Sequence, residues 1–139
     1  MATTTVVDGV SRQQFAGFVV LGDQRGRTIG FPTANLRSAD VSSVPAPGVY
    51  AAWVALEDGS RWPAAVNIGT RPTFYNAGGE QLIECHLIGF SDDIYGQEIV
   101  VTLMGALRAE HRFPNVDALV SQLARDRDAA LEALMPACA

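Results

Sequence analysis

The sequence predicts a mostly β protein, an antiparallel barrel or sandwich, that ends in one α-helix. Five apolar segments rich in β-forming residues follow one another through tight turns or loops, without a helical pattern between them. Towards the C-terminus the hydrophobic pattern changes to the period of an amphipathic helix. At 139 residues the chain fits one domain that can bury a substantial core.

Each predicted element has a local signal. The strands are expected at residues 14–21, 48–56, 61–68, 82–88 and 98–104, where apolar residues favouring extended backbone are frequent. The Asp58-Gly59 dipeptide predicts a tight turn that pairs the second strand with the third. The helix is expected from about Val116 to Met135, with Asn115 as its N-cap.

The strand expected at 82–88 places different chemistry on its two faces. Because side chains alternate along a strand, one face carries Leu82, Glu84, His86 and Ile88, and the other carries Ile83, Cys85 and Leu87. A carboxylate among apolar neighbours is costly unless it has a task, so Glu84 is a candidate catalytic residue. The alternative is a solvent-facing Glu84 paired with His86. Cys85 is expected to be a reduced strand residue, since Cys138 is far from it in sequence.

Composition and charge restrict the class of protein. The formal net charge of -5 argues against a sequence-blind nucleic-acid binder, which needs cations to neutralise phosphates. All ten basic residues are arginine, so any phosphate chemistry must use arginine, backbone N–H groups or metal. No signal peptide or membrane span is evident, and we expect a soluble, cytoplasmic protein. Residues 1–12 are expected to form a flexible leader, and residues 13–139 the folded domain.

A glycine- and arginine-rich stretch, residues 22–35, follows the first predicted strand. Three glycines at four-residue spacing allow close backbone approach, and Thr33 and Asn35 offer neutral oxygens that suit a hard cation. These groups together are suited to phosphate and magnesium. Taken alone, such a stretch is more often a solvated surface loop.

The stretch and several later blocks resemble the riboflavin kinase family, which includes the C-terminal kinase module of bacterial bifunctional FAD synthetases. The first match runs from Gly17 through residues 22–27 to 31–36, and further blocks follow in order at 47–50, 66–74, 83–87, 94–96 and 107–113. The resemblance implies a six-stranded antiparallel Greek-key β-barrel with a C-terminal helix packed on it. The residue patterns alone predict five strands, so the sixth is implied by the resemblance, and the segment 28–31 is a candidate for it. The chain could be a stand-alone enzyme or a module excised from a bifunctional protein.

The implied reaction transfers the γ-phosphoryl group of ATP to the 5′-hydroxyl of riboflavin, giving FMN and ADP. By resemblance, Glu84 is the catalytic base, and Thr33 and Asn35 hold Mg²⁺. The nucleotide phosphates would meet backbone and arginine groups of the loop together with Thr33: Gly22, Arg25, Gly26, Arg27 and Gly30. Arg108 and Phe113 would border the flavin, although a plain connection between strand and helix with Phe113 in the core fits them almost as well. The alternative function is a flavin- or nucleotide-binding module of the same fold with little or no turnover.

Overall fold

The computed structural model describes residues 3–7, 10–20, 34–38, 46–71, 80–90, 92–110 and 113–135. These residues form seven strands and one helix: β1 Thr3–Val7, β2 Val10–Val20, β3 Ala34–Ser38, β4 Gly48–Ala55, β5 Arg61–Arg71, β6 Glu80–Leu87, β7 Glu98–Arg108 and α1 Val116–Leu134. The five strands expected from the sequence correspond to β2, β4, β5, β6 and β7. The helix lies where its apolar periodicity predicts it.

Six of the strands close into an antiparallel barrel. The order around the sheet is β2-β3-β6-β5-β4-β7, and β7 pairs back onto β2. Strands β4, β5 and β6 are successive antiparallel neighbours, and β3 lies beside β6 instead of its sequence neighbour β4, which is a Greek-key arrangement. The structure therefore confirms the mostly β fold and selects the barrel over the sandwich.

The strand that completes the barrel is β3, which the sequence analysis did not recognise as a strand. Its pairing with β6 joins Ala34 to Cys85 and Leu36 to Ile83. A segment of five residues flanked by turn-forming residues is too short to show a clear alternation. Its extended conformation therefore depends on pairing with neighbouring strands. The segment 28–31, which the sequence analysis named as a candidate for the sixth strand, lies outside the described residues.

The N-terminal residues also take part in the sheet. β1 pairs with the first part of β2, from Thr3 opposite Gln14 to Val7 opposite Val10. The sequence analysis assigned these positions to a flexible leader without periodicity. The division of the chain at residue 12 stays a prediction.

The barrel interior is filled by alternate residues of all six strands. These core residues are almost fully buried, and they include Phe15, Val19, Leu36, Val54, Val66, Ile68, Ile83, Cys85, Leu87, Ile99, Val101 and Leu103. At Gly17, where β2 pairs with both β3 and β7, a Cβ atom would lie 2.7 Å from the carbonyl oxygen of Arg37. Any larger residue would push β3 away from β2, so the barrel needs glycine at this position.

Helix α1 packs on the outside of the barrel, against β4, β5 and β7. Small buried residues on both sides allow the close approach: Ala51 of β4, Ala65 of β5 and Ala130 of α1. The side chain of Asn115 accepts a hydrogen bond from the Ala118 N–H at 2.8 Å, which confirms the predicted N-cap. The described residues contain no helix that is long and apolar enough to cross a bilayer.

Candidate active site

Three polar side chains form a row across the outer face of the barrel. Asn35 of β3 is the direct cross-strand partner of Glu84 of β6, and Glu84 is in turn the direct partner of Asn67 of β5. Directly opposed residues project from the same face, with Cβ atoms about 4.5–5.5 Å apart. The neighbouring residues of β6, Ile83 and Cys85, are buried in the core, which confirms the predicted alternation of this strand. Glu84 therefore lies between two carboxamides.

The row continues from β5 towards the end of β7. Asn67 is opposite Val49 of β4, and Val49 is opposite Arg108 of β7. Neighbouring strands are about 4.8 Å apart, so Arg108 lies three strand steps, or about 14 Å along the sheet, from Glu84. In the six-stranded barrel this is half of the way around. This strip of the outer face runs from the predicted base, across the buried Val49, to a predicted flavin residue.

The exposure of the polar residues is limited. Asn35 is only 9% exposed, and Glu84 and Asn67 are partly buried. The Oδ1 atom of Asn67 is buried and has no hydrogen-bond partner among the described residues. A carboxylate in such surroundings faces less water than one on an open strand, which suits it to exchange a proton with a bound alcohol.

Arg108 is held by helix α1. Its Nε and Nη2 atoms donate to the two carboxylate oxygens of Asp126, each at 2.8 Å, and Nη1 donates to the Ala109 carbonyl oxygen at 3.0 Å. Asp126 also accepts a hydrogen bond from Gln122 at 2.9 Å. The pair is largely buried, with 20% of the Arg108 side chain and 6% of the Asp126 side chain exposed. A bidentate arrangement of this kind fixes the guanidinium plane as well as its charge.

The guanidinium also lies over the ring of Phe113, 5.8 Å from its centroid. The structure thus brings together the two residues that the resemblance assigns to the flavin. Arg108 ends β7 and Phe113 precedes α1, so their contact and the Asp126 pair fix both ends of the connection between strand and helix.

The same connection touches β5 through Glu110. The Glu110 carboxylate occupies the space that a Cβ atom would need at Gly69, two residues along β5 from Asn67. Gly69 is opposite Leu82 of β6. A side chain at Gly69 would displace this carboxylate, so glycine allows Glu110 to lie against the strand.

Cys85 lies beneath this strip, on the inner face of β6. It is a free cysteine, fully buried in the barrel core, as the sequence predicts. Burial, with a smaller contribution from the negative charge of Glu84, raises the pKa of the Cys85 thiol to about 12. The thiol therefore stays protonated at physiological pH, and Cys85 serves as a packing residue.

Several predicted site residues fall outside the described part of the chain. These are the residues assigned to the nucleotide loop and one metal ligand: Gly22, Arg25, Gly26, Arg27, Gly30 and Thr33. Within the described ranges, no group of three or more His, Cys, Asp or Glu side chains is placed to hold a metal ion.

Two residues of the site were missed by the sequence analysis. Asp126 lies in the apolar stripe of α1, four residues before Ala130, and a carboxylate at such a position signals a buried partner. Asn67 shares the outer face of β5 with Ala65 and Gly69, where a lone polar side chain between small residues was the available signal.

The comparison with protein families agrees with this geometry. A family model described as "Flavokinase: Riboflavin kinase" matches residues 11–134. The chain belongs to the riboflavin kinase family. The match covers all six barrel strands, nearly in full, together with helix α1 and every described residue of the strip.

Individual relatives extend the comparison. A bifunctional riboflavin kinase/FMN adenylyltransferase from Escherichia coli K12 is 46% identical over 117 residues, which cover 84% of this chain and 36% of that protein. The chain thus spans about a third of the length of this curated relative. A crystal structure of a macrolide-efflux protein from Streptococcus pneumoniae matches with a TM-score of 0.77 at 37% identity, covering 84% of this chain and 38% of that one. A riboflavin kinase structure from Trypanosoma brucei matches with a TM-score of 0.61 over 88% of this chain and 80% of that one, and at 22% identity it shares the fold.

Proposed function

We propose that this chain is a riboflavin kinase that transfers the γ-phosphoryl group of ATP to the 5′-hydroxyl of riboflavin, giving FMN and ADP. The observation that carries the proposal is the cross-strand placement of Asn35 opposite Glu84, on a strip that leads to Arg108. Membership of the riboflavin kinase family supports it. A pure binding module has no use for a partly buried carboxylate beside a neutral metal ligand.

Glu84 acts as the general base in this proposal. The primary hydroxyl of riboflavin has a very high pKa, and its attack on phosphorus is assisted when a carboxylate accepts the proton as the new bond forms. Glu84 lies on the outer face between Asn35 and Asn67, where a bound substrate can reach it. The two flanking positions are carboxamides, which can hydrogen-bond the carboxylate or the substrate without adding charge.

Asn35 and Thr33 would hold Mg²⁺. The donor set fits this ion because carboxamide and hydroxyl oxygens are hard ligands, and Mg²⁺ takes few protein ligands when phosphate oxygens and water complete its octahedron. Bound there with ATP, the ion would neutralise charge on the phosphate oxygens. Asn35 keeps its side chain beside Glu84 through the pairing of β3 with β6. Gly22, Gly26 and Gly30, with Arg25 or Arg27, would contact the nucleotide phosphates through backbone N–H groups and guanidinium charge.

Arg108 and Phe113 would form one border of the flavin site. Since Asp126 and the Ala109 carbonyl oxygen already engage the guanidinium, Arg108 would act mainly by holding Phe113 and the connection in place. The Phe113 ring would then offer an apolar surface to the planar isoalloxazine. The same reaction would occur in a stand-alone chain or in the kinase module of a bifunctional FAD synthetase. The cytoplasmic location expected from the sequence completes the proposal.

The test is to incubate the purified chain with riboflavin and Mg·ATP and to separate the flavins by chromatography. We expect FMN to accumulate with one ADP formed for each FMN, and EDTA to stop the reaction. Riboflavin binding without FMN formation, with every nucleotide and divalent metal tried, would contradict the proposal. A fluorescence titration of riboflavin in the same samples separates lack of binding from lack of chemistry.

A further inference from the structure

The unpaired Oδ1 atom of Asn67 is the feature of the strip that the proposed reaction does not explain. This oxygen is buried and lacks a hydrogen-bond donor among the described residues. Buried polar atoms are nearly always hydrogen-bonded, because an unpaired one keeps the cost of its lost hydration. An unsatisfied acceptor next to a catalytic base therefore indicates a donor that arrives with the substrate.

Within the described part of the chain, the direct neighbours of Asn67 do not supply that donor. Its two direct cross-strand partners are Glu84, which accepts hydrogen bonds when ionised, and Val49, whose side chain has no polar atom. Along the outer face of β5, Ala65 and Gly69 likewise offer no side-chain donor, and the group seated at Gly69 is the carboxylate of Glu110. These neighbours therefore contribute two carboxylates and no side-chain donor, and they match a ligand that carries donors.

The position of Asn67 indicates which part of the substrate would supply them. Asn35, the proposed metal ligand, lies on one side of Glu84, and Asn67 lies on the other. Asn67 is two residues along β5 from Gly69, where Glu110 of the connection between β7 and α1 packs. A flavin substrate that spans the strip would place its reactive hydroxyl at Glu84 and its ring towards Arg108. The polyhydroxyl chain between the two would pass over Asn67, and each of its hydroxyls can donate one hydrogen bond.

Resting on the proposed kinase function, we propose that Asn67 is a positioning residue whose Oδ1 accepts a hydrogen bond from a ribityl hydroxyl next to the one that is phosphorylated. The contact would orient the chain so that the 5′-oxygen meets Glu84, and it would distinguish riboflavin from flavins that lack this hydroxyl. No bond to Asn67 forms or breaks in the reaction.

The first experiment compares the wild type with Asn67→Ala and Asn67→Asp, using riboflavin and lumiflavin, a flavin without the ribityl chain. We expect Asn67→Ala to weaken riboflavin binding about 3- to 10-fold, the factor of one neutral hydrogen bond, and to leave lumiflavin binding unchanged. kcat should fall as well, because a misplaced hydroxyl reacts slowly, while the KM for ATP stays within about twofold. Asn67→Asp keeps an acceptor oxygen of similar size and should retain more of the riboflavin affinity than Asn67→Ala. Its second carboxylate opposite Glu84 should lower the melting temperature of the free protein.

Thermal unfolding separates this role from a structural one. Since the Oδ1 atom makes no hydrogen bond without ligand, Asn67→Ala should not lower the melting temperature of the free protein, but it should reduce the stabilisation that riboflavin provides. A lower melting temperature with unchanged flavin affinity would overturn the proposal. Equal losses for riboflavin and lumiflavin, or an increased magnesium requirement in place of the flavin effect, would also overturn it.

Deoxyriboflavins test the same contact without a substitution. If the proposal holds, the wild type binds 4′-deoxyriboflavin more weakly than riboflavin, and Asn67→Ala binds both equally. Full wild-type affinity for 4′-deoxyriboflavin would refute the role of Asn67 and leave the kinase function intact. Absence of riboflavin binding by the wild type would instead refute the proposed function itself.

Discussion

The pair formed by Arg108 and Asp126 should be a main determinant of stability outside the barrel core. In Arg108→Met, Asp126 loses the two guanidinium donors at 2.8 Å and, of its partners among the described residues, keeps Gln122. Asp126 is 6% exposed, so the remaining carboxylate would be buried without a counter-charge. Removing one partner of a buried pair costs about 3–5 kcal/mol, and the 20% exposure of Arg108 places the expected loss near the lower limit, at about 3 kcal/mol.

Urea denaturation at pH 7, followed by tryptophan fluorescence and circular dichroism, measures this loss. With a slope of about 1.5 kcal/mol per molar urea, the midpoint should fall by about 2 M. Adding Asp126→Leu should restore at least half of the lost stability, because replacing both ions with apolar residues removes the unpaired charge. The matched control is Arg127→Met, in the exposed pair with Asp128 at 3.3 Å, which should cost less than about 1 kcal/mol.

Two results would refute this reasoning. One is an Arg108→Met protein within about 1 kcal/mol of the wild type, which would mean that water satisfies Asp126 in the folded state. The other is a double variant no more stable than the single one, since the loss would then reflect missing packing of the arginine chain.

Four further predictions concern the site and the core. Glu84→Gln should lower kcat by about 10²- to 10⁴-fold while flavin and nucleotide still bind. The control Glu132→Gln, on the exposed face of α1, should retain full turnover. Near-normal turnover of Glu84→Gln would show that Glu84 is not the base. Asn35→Ala should raise the magnesium concentration for half-maximal rate more than it raises the riboflavin KM, and an unchanged magnesium dependence would contradict its role as a ligand. Burial raises the pKa of the Cys85 thiol to about 12, so in a Cys138→Ser background the folded protein should resist a thiol reagent at pH 8. The same protein unfolded in urea should react rapidly. Rapid labelling of the folded protein would count against the burial of Cys85. Because the unfolded thiol ionises near its ordinary pKa of 9.0 and the folded one does not below about 12, the free energy of unfolding should fall as pH rises through that window.

The sequence predicts the elements with strong local patterns and misses those decided by pairing. Strand β6 is predictable because its alternation is unbroken, and α1 because its apolar stripe begins at a clear N-cap, Asn115. β3 could not be predicted from its own five residues, since its extended backbone depends on hydrogen bonding to β2 and β6. For the same reason, the sequence identifies Glu84 as a candidate but cannot show that Asn35 and Asn67 flank it, which depends on strand register. The partnership of Arg108 with Asp126 likewise requires α1 to be docked on the barrel.

The pairing of β2 with β7 also determines when the barrel can form. Gln14 donates a hydrogen bond to Thr102 at 3.0 Å across a sequence separation of 88 residues. During synthesis on the ribosome, the edge of β2 that faces β7 therefore stays unpaired until β7, the last barrel strand, emerges from the exit tunnel. β1 is adjacent in sequence and can pair with β2 earlier. Contacts this distant in sequence are typical of domains that fold in milliseconds to seconds. Until β7 arrives, the edges of β2 and β4 that pair with it are open to wrong pairing with another nascent chain.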